Sequence, residues 1–169
     1  MSKFRHLLPI CLMLAVPAID AAEPAKSSDA VEKSPDTEQV QESGALEFLH
    51  ALTNKPLDMN MRPEQVLTPA VLEFHETGEN PYSGNAERIA AGEKLYKKQC
   101  QACHLKDGKG RIGPNLTDDT WTRSRTDTEL GRFEVVYGGG AGAMQAFGLR
   151  MDQDGILEVL AFIETFRAQ

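Results

Sequence analysis

Apolar positions recur at helical spacing in four stretches after residue 68, and most of these stretches carry helix-terminal residues. Thr68, Pro69 and Gly78 bound a predicted short helix at 69–77. Asn85 precedes a second pattern that runs to about residue 99. A third helical segment is predicted at about 127–137, and Asp152 begins the last one, with Ile156, Leu157, Leu160, Ile163 and Phe166 on its inward face. No run of alternating residues predicts a strand, so we expect an all-α, loop-rich fold.

The apolar pattern is different before residue 69. Residues 1–22, "MSKFRHLLPICLMLAVPAIDAA", combine two early cations, an apolar run too short to span a bilayer, and small residues at its end. This is typical of a cleaved secretory signal peptide. Residues 23–43 are rich in Ala, Ser, Pro and acidic residues, which predicts a disordered acidic linker. Residues 44–84 are expected to form an N-terminal extension, an irregular wrap with a turn at "TNKP" (53–56) followed by the short helix.

Length and charge limit the function classes. The chain has 169 residues and a formal net charge of −7, which suits one domain with tails and disfavours nucleic acid as a partner. Once residues 1–22 are removed, only Cys100 and Cys103 remain of three cysteines, in a compartment that is oxidising after export. We expect a soluble periplasmic protein, monomeric and without stable membrane insertion.

The two remaining cysteines stand in "CQACH", residues 100–104, which is the C-x-x-C-H pattern of c-type haem attachment. Thiols three residues apart project from one face of a helical turn, where each can add to a haem vinyl group. His104 follows directly and is placed to bind the iron. A thioredoxin-like redox pair lacks its βαβ frame here, a structural zinc site lacks two further ligands, and a disulfide would leave His104 unexplained. We therefore predict one covalent haem c in a domain at 85–169.

The second axial ligand has several candidates: Met59, Met61, Met144, Met151, His50 and His75. Met144 is favoured because it lies in "YGGGAGAMQAFG", where the glycines allow the backbone to approach a flat ring. A packing role for Met144 and a bis-histidine site are the alternatives. With imidazole and thioether both bound, the iron is closed to substrates, which favours electron transfer over catalysis.

The stretches "NPYSGN", "GEKLYKKQCQACH", "GRIGPNL" with Trp121, and "YGGGAGAM" resemble the cytochrome c-L family. The likeness covers about residues 66–169. It implies a class I-like cytochrome c fold with one extra N-terminal helix, and a carrier that accepts electrons from a PQQ-dependent methanol dehydrogenase and passes them to a further cytochrome c or an oxidase. It implies Cys100 and Cys103 as haem attachments and His104 and Met144 as iron ligands. It also implies a Pro114 carbonyl facing the far nitrogen of His104, and Trp121 near the haem propionates.

The chain departs from the family pattern after Trp121, in "TRSRTDTELG", and after Met144, in "MQAFGLRMD". The sequence leaves open whether Arg123 and Arg125 pair with propionates or are surface charges, and which dehydrogenase is the partner. Two further hypotheses are a haem sensor or redox enzyme with a displaceable sixth ligand, and a fixed cytochrome subunit of a larger complex.

Overall fold

The computed structural model describes residues 46–121, 123 and 125–167. These residues form five α-helices and a 3₁₀ turn and include no strand. The helices are α1 (Pro69–Thr77), α2 (Ala86–Gln99), α3 (Gln101–His104), α4 (Glu129–Gly138) and α5 (Gln153–Glu164), and the 3₁₀ turn is Phe147–Leu149. The predicted all-helical class is confirmed, and the predicted helices appear within a few residues of their expected bounds.

The helix ends form where the terminal residues predicted them. The Thr68 hydroxyl accepts a hydrogen bond from the Val71 amide, and Gly78 ends α1 in the left-handed conformation at φ 73°. The Asn85 side chain accepts from the amides of Glu87 and Arg88 at the start of α2. Asp152 accepts from the Gly155 amide at the start of α5. Local sequence is therefore sufficient to place these three helix starts.

The central contact of the fold is the crossing of α2 and α5. A Cβ atom at Gly92 would lie 1.9 Å from the carbonyl oxygen of Glu158, so the two backbones touch at this point. One turn further along α2, the buried Tyr96 packs against Phe162 and Phe166, with ring centroids 5.2 and 5.4 Å apart. The close crossing expected from Gly92 is confirmed.

Residues 46–67 form the irregular wrap that the sequence predicted, with a hairpin-like start. The Leu57 amide donates to the Phe48 carbonyl and the His50 amide to the Lys55 carbonyl, each at 2.8 Å. An isolated bridge joins Leu49 and Pro56. The turn between them closes over "TNKP", with Asn54 at φ 51°.

The extension is tied to the helical core by side-chain hydrogen bonds to α5. The Asp154 carboxylate accepts from the hydroxyls of Thr68 and Tyr82, both at 2.6 Å. Arg88 of α2 lies over the Tyr82 ring at 4.5 Å and forms an ion pair with Glu158 at 2.9 Å. The short helix α1 is thereby fixed against α5.

The predicted signal peptide at 1–22 and acidic linker at 23–43 lie outside the described residues. Within the described part of the chain, none of the helices combines the length and apolar character needed to cross a bilayer.

Gly92→Ala tests the helix crossing. Alanine is ordinarily favoured over glycine inside a helix by about 1 kcal/mol. Here the added methyl group would collide with the α5 backbone, so we expect a net loss of about 3 kcal/mol in the free energy of unfolding. The measurement is denaturant unfolding of the haem-loaded protein followed by circular dichroism.

Gly84→Ala is the matched control. Gly84 has φ 77° with nothing within 4 Å of an added Cβ, so this change meets backbone strain alone and is expected to cost about 1 kcal/mol. Equal stabilities for the Gly92→Ala variant and the wild type would refute the close crossing.

Candidate haem-binding site

The attachment motif begins where α2 ends. The amides of Cys103 and His104 both donate to the Cys100 carbonyl, at 3.1 and 3.0 Å, which forms the turn of α3. Both cysteines are half-buried free thiols that line one cavity. Burial, with a smaller effect of Cys103, raises the pKa of the Cys100 thiol to about 11. Both cysteines thus open onto one cavity from a single helical turn.

The loop after the motif folds back onto it. The Cys103 carbonyl accepts from the amides of Arg111, Ile112 and Gly113, at 3.1, 3.2 and 3.1 Å. The Tyr96 hydroxyl donates to the Leu105 carbonyl at 2.7 Å, and burial raises the pKa of this phenol to about 12, so it stays a donor at neutral pH. These bonds fix the position of the loop relative to α2.

The returning loop fixes the imidazole of His104, which is buried. Its Nδ1 lies 3.0 Å from the Pro114 carbonyl oxygen. Because a carbonyl can only accept, Nδ1 carries the proton and Nε2 keeps its lone pair for a metal. The contact between Pro114 and His104 is the one expected from the resemblance.

Gly113 is a contributor that sequence reasoning missed. A Cβ atom at this position would lie 2.5 Å from Cε1 of the His104 ring. The peptide therefore passes directly against the imidazole, and a side chain at 113 would displace it. The available signal was the glycine immediately before proline in "IGPNL".

His104 and both cysteines line a cavity of about 380 Å³. Its walls are largely apolar side chains of α4, α5, the 3₁₀ turn and the loop after α3: Leu116, Val135, Val136, Phe147, Val159, Leu160 and Ile163. The charged side chains that line it, among the described residues, are Arg123, Arg132 and Arg150, with no carboxylate. A flat apolar group bearing acidic substituents matches these walls and charges.

Met144 is the candidate ligand that lines this cavity together with His104. The Gly140 amide donates to the Met144 carbonyl at 3.1 Å, and a Cβ at Gly140 would come within 2.9 Å of the Met144 sulfur. Gly139 takes φ 92°, so the loop needs glycine at this position. The glycines of "YGGGAGAM" thus give the sulfur its space.

The other candidate ligands have different surroundings and do not line the cavity. Met151 is buried in the core, and Met59 and Met61 pack against it. Nε2 of His75 is 2.6 Å from the Gln153 side-chain oxygen, and Nδ1 of His50 accepts from the Leu52 amide at 3.2 Å. The structure therefore brings none of these five side chains to His104.

Trp121 is half-buried at the cavity wall and has two guanidinium groups near its ring. Arg132 lies over its ring at 5.4 Å and Arg167 at 4.8 Å. These cation–π contacts orient the indole and were not predicted, because neither arginine is near Trp121 in sequence.

The sequence left open what Arg123 and Arg125 pair with, and the structure places them differently. Arg125 pairs with the buried Glu134, with its Nε 2.9 Å from Oε2. The same carboxylate accepts from the Leu49 amide at 2.7 Å. Arg125 is therefore neither a plain surface charge nor part of the cavity wall, whereas Arg123 lines the cavity.

Comparisons with known proteins agree with the geometry. The profile of the family described as "Cytochrome C oxidase, cbb3-type, subunit III" matches residues 87–163. Cytochrome c-L of Methylorubrum extorquens is 34% identical over 117 residues, which cover 69% of this chain and 59% of that relative. The chain thus spans less than two thirds of this curated relative.

Two solved structures share the fold. The crystal structure of cytochrome CL from the marine methylotrophic bacterium Methylophaga aminisulfidivorans has a TM-score of 0.69 and 34% identity, covering 71% of this chain and 80% of that one. The crystal structure of cytochrome cL from Hyphomicrobium denitrificans has a TM-score of 0.68 and 34% identity, covering 71% and 73%.

These matches confirm the predicted class I-like cytochrome c fold and account for a C-x-x-C-H motif that opens onto an apolar cavity with arginines among its lining residues. The group that such a motif attaches is a covalent c-type haem. The cytochromes that this chain is similar to are electron-transfer proteins. The chain belongs to the cytochrome c-L family of c-type cytochromes.

Proposed function

We propose that this chain is a periplasmic one-electron carrier with a single haem. It accepts electrons from a PQQ-dependent methanol dehydrogenase and passes them to a further cytochrome c or an oxidase. The observation that carries the proposal is the cavity onto which Cys100, Cys103, His104 and Met144 all open. Cys100 and Cys103 would hold the haem through thioethers, and His104 and Met144 would bind its iron.

The haem supplies Fe(II)/Fe(III) chemistry, and the protein controls where and how readily it takes place. The Pro114 carbonyl accepts a hydrogen bond from Nδ1 of His104, which fixes the tautomer and makes Nε2 a better ligand. The apolar walls exclude water. His104 and Met144 would together hold the iron, and an imidazole with a thioether would raise its reduction potential and leave no free position for a substrate, which would restrict the haem to giving and taking single electrons.

The proposed donor rests on the family relationship. The solved relative from Methylophaga aminisulfidivorans comes from a methylotrophic bacterium, and the resemblance in "NPYSGN", "GRIGPNL" and "YGGGAGAM" points to the same metabolism. Periplasmic location rests on the signal-like residues 1–22 and on the haem attachment motif.

Electron exchange requires a haem edge close to the surface, and two exposed apolar side chains mark where this would be. Ile112 is 67% exposed and lines the cavity. Leu149 is 64% exposed and lies between Phe147 and Arg150, which also line it. An apolar rim beside the cavity is a surface on which a partner can dock and exclude water.

Reduction by the dehydrogenase is the first test. The exported, haem-loaded protein is mixed with purified PQQ-dependent methanol dehydrogenase and its substrate, and the reduced haem band is followed in a stopped-flow instrument. Fast reduction is expected for the wild type. Ile112→Glu places a charge in the docking rim and should slow the reaction by about tenfold, because charged residues are disfavoured in interface centres.

Val66→Glu is the matched control, with the same type of change at a residue that is 83% exposed and does not line the cavity. It should leave the rate unchanged. Equal slowing by both variants would show that the apolar rim is not the docking surface. Failure of the wild type to be reduced would show that methanol dehydrogenase is not the electron donor.

Carbon monoxide binding tests whether Met144 is the second axial ligand. The same experiment separates a carrier from the alternative, a haem sensor or redox enzyme with a displaceable ligand. The reduced wild type should resist carbon monoxide, and Met144→Ala should bind it promptly, because the variant opens an iron coordination position. The measurement is the shift of the Soret band on addition of the gas. Met59→Leu, which changes a methionine outside the cavity, should behave like the wild type. Prompt binding by the wild type would favour the sensor or enzyme.

A fixed cytochrome subunit of a dehydrogenase complex is the second candidate, and the match to a profile named for an oxidase subunit supports a subunit role less well than the cytochrome c-L matches support a carrier. Purification from a native membrane extract at high salt separates the two. A carrier should elute alone, whereas a subunit should remain with its complex.

A further inference from the structure

Two arginines that stand two residues apart, Arg123 and Arg125, differ in whether their charge is already compensated. Arg125 donates to the buried Glu134 from Nε at 2.9 Å and from Nη2, and Nη2 also donates to the Glu47 carbonyl at 3.2 Å. Arg123 is half-buried, and its side chain has no hydrogen-bond or ion-pair partner among residues 46–121, 123 and 125–167. It also lines a second cavity, whose walls include Glu134, but that carboxylate is already paired with Arg125. A half-buried cation without a partner is costly unless something else pairs with it.

The backbone of Arg123 is held in place beside the cavity. Its carbonyl accepts from the Thr126 hydroxyl at 2.7 Å and from the Thr126 amide at 3.2 Å. Thr126 is buried, lines the same cavity, and its own carbonyl accepts from Arg132 at 3.3 Å. Arg132 in turn lies over Trp121. These contacts join Arg123, Thr126, Arg132 and Trp121 into one continuous part of the cavity wall.

This part of the wall carries two arginines, and only one of them has an acid beside it. Among the described residues that line the cavity there is no carboxylate. The acid beside Arg132 is Glu164, 3.7 Å away and outside the cavity lining, and the Arg132 side chain is only 13% exposed. The charge of Arg123 is therefore available to an anionic group of a ligand in the cavity.

We propose that Arg123, and not Arg125, binds a haem propionate, and that Arg132, held by Trp121 and Thr126, is the second cation at that end of the haem. The proposal rests on haem binding in this cavity and is independent of the electron donor. A paired propionate can be buried at low cost. A cation beside the haem also stabilises the reduced state, because reduction adds a negative charge.

The test is a spectroelectrochemical titration of the exported, haem-loaded protein, with its spectrum confirming haem attachment in each variant. Arg123→Gln should lower the reduction potential. At a fixed applied potential the ratio of reduced to oxidised protein should fall by roughly tenfold, as expected for one unit charge acting over roughly 10 Å at an effective dielectric constant of about 20. Arg123→Lys keeps the charge and should stay within about threefold of the wild type.

Arg62→Gln is the matched control, since Arg62 pairs with Glu64 at 2.9 Å and does not line the cavity. It should leave the ratio unchanged. An Arg123→Gln ratio equal to that of Arg62→Gln would overturn the proposal, as would an Arg123→Lys ratio as low as that of Arg123→Gln.

Arg125→Gln separates the two arginines. It leaves Glu134 buried without its cation and should lower the melting temperature clearly, but its ratio of reduced to oxidised protein should stay within about threefold of the wild type, because Arg125 does not line the cavity of His104. A ratio for Arg125→Gln as low as that of Arg123→Gln would overturn the assignment. Because both measurements use the carrier alone, a dehydrogenase that fails to reduce the protein does not affect them, and their failure does not affect the proposed donor.

Discussion

The backbone contact between Gly92 of α2 and Glu158 of α5 determines where the haem site forms. The attachment motif begins at the residue after α2, so the placement of α2 determines where the motif lies. The adjoining residues of α5, Val159, Leu160 and Ile163, are walls of the cavity. One close helix crossing therefore sets the distance between the attached thiols and the apolar surface that the haem must cover.

The charge of the cavity is opposite to that of the whole chain. The net charge is −7, yet the charged residues that line the cavity, in the part of the chain that the structure describes, are all arginines. Burying a propionate requires local cations, and docking or solubility can be served by acidic residues elsewhere. Net charge thus describes how the protein meets distant partners and says little about the site itself.

The N-terminal extension is part of the folded unit, because its polar groups pair with buried or half-buried groups of the core. Glu134 is 1% exposed and binds both Arg125 and the Leu49 amide. Asp154 binds Thr68 and Tyr82. The family profile matches residues 87–163 and leaves this extension out, although the extension is held to the core by these bonds.

The sequence by itself determined the helices and the chemistry that depends on neighbouring residues. Thr68, Asn85 and Asp152 place helix starts through hydrogen bonds to amides two or three residues away, and Cys100, Cys103 and His104 lie on one turn. Such interactions are local, so a linear pattern contains them. The resemblance added the contact of Pro114 with His104, which spans ten residues.

Only the tertiary structure decided what each long side chain meets. The sequence gives no reason to expect different partners for Arg123 and Arg125. Their partners differ because Glu134 of α4 lies beside Arg125 and is buried next to Leu49 of the wrap. Packing between distant segments likewise places Met144 at the cavity. It keeps the other candidate ligands away from the cavity: Met59, Met61, Met151, His50 and His75. Charge pairing and ligand choice over such separations are set by how the helices pack, which periodicity does not encode.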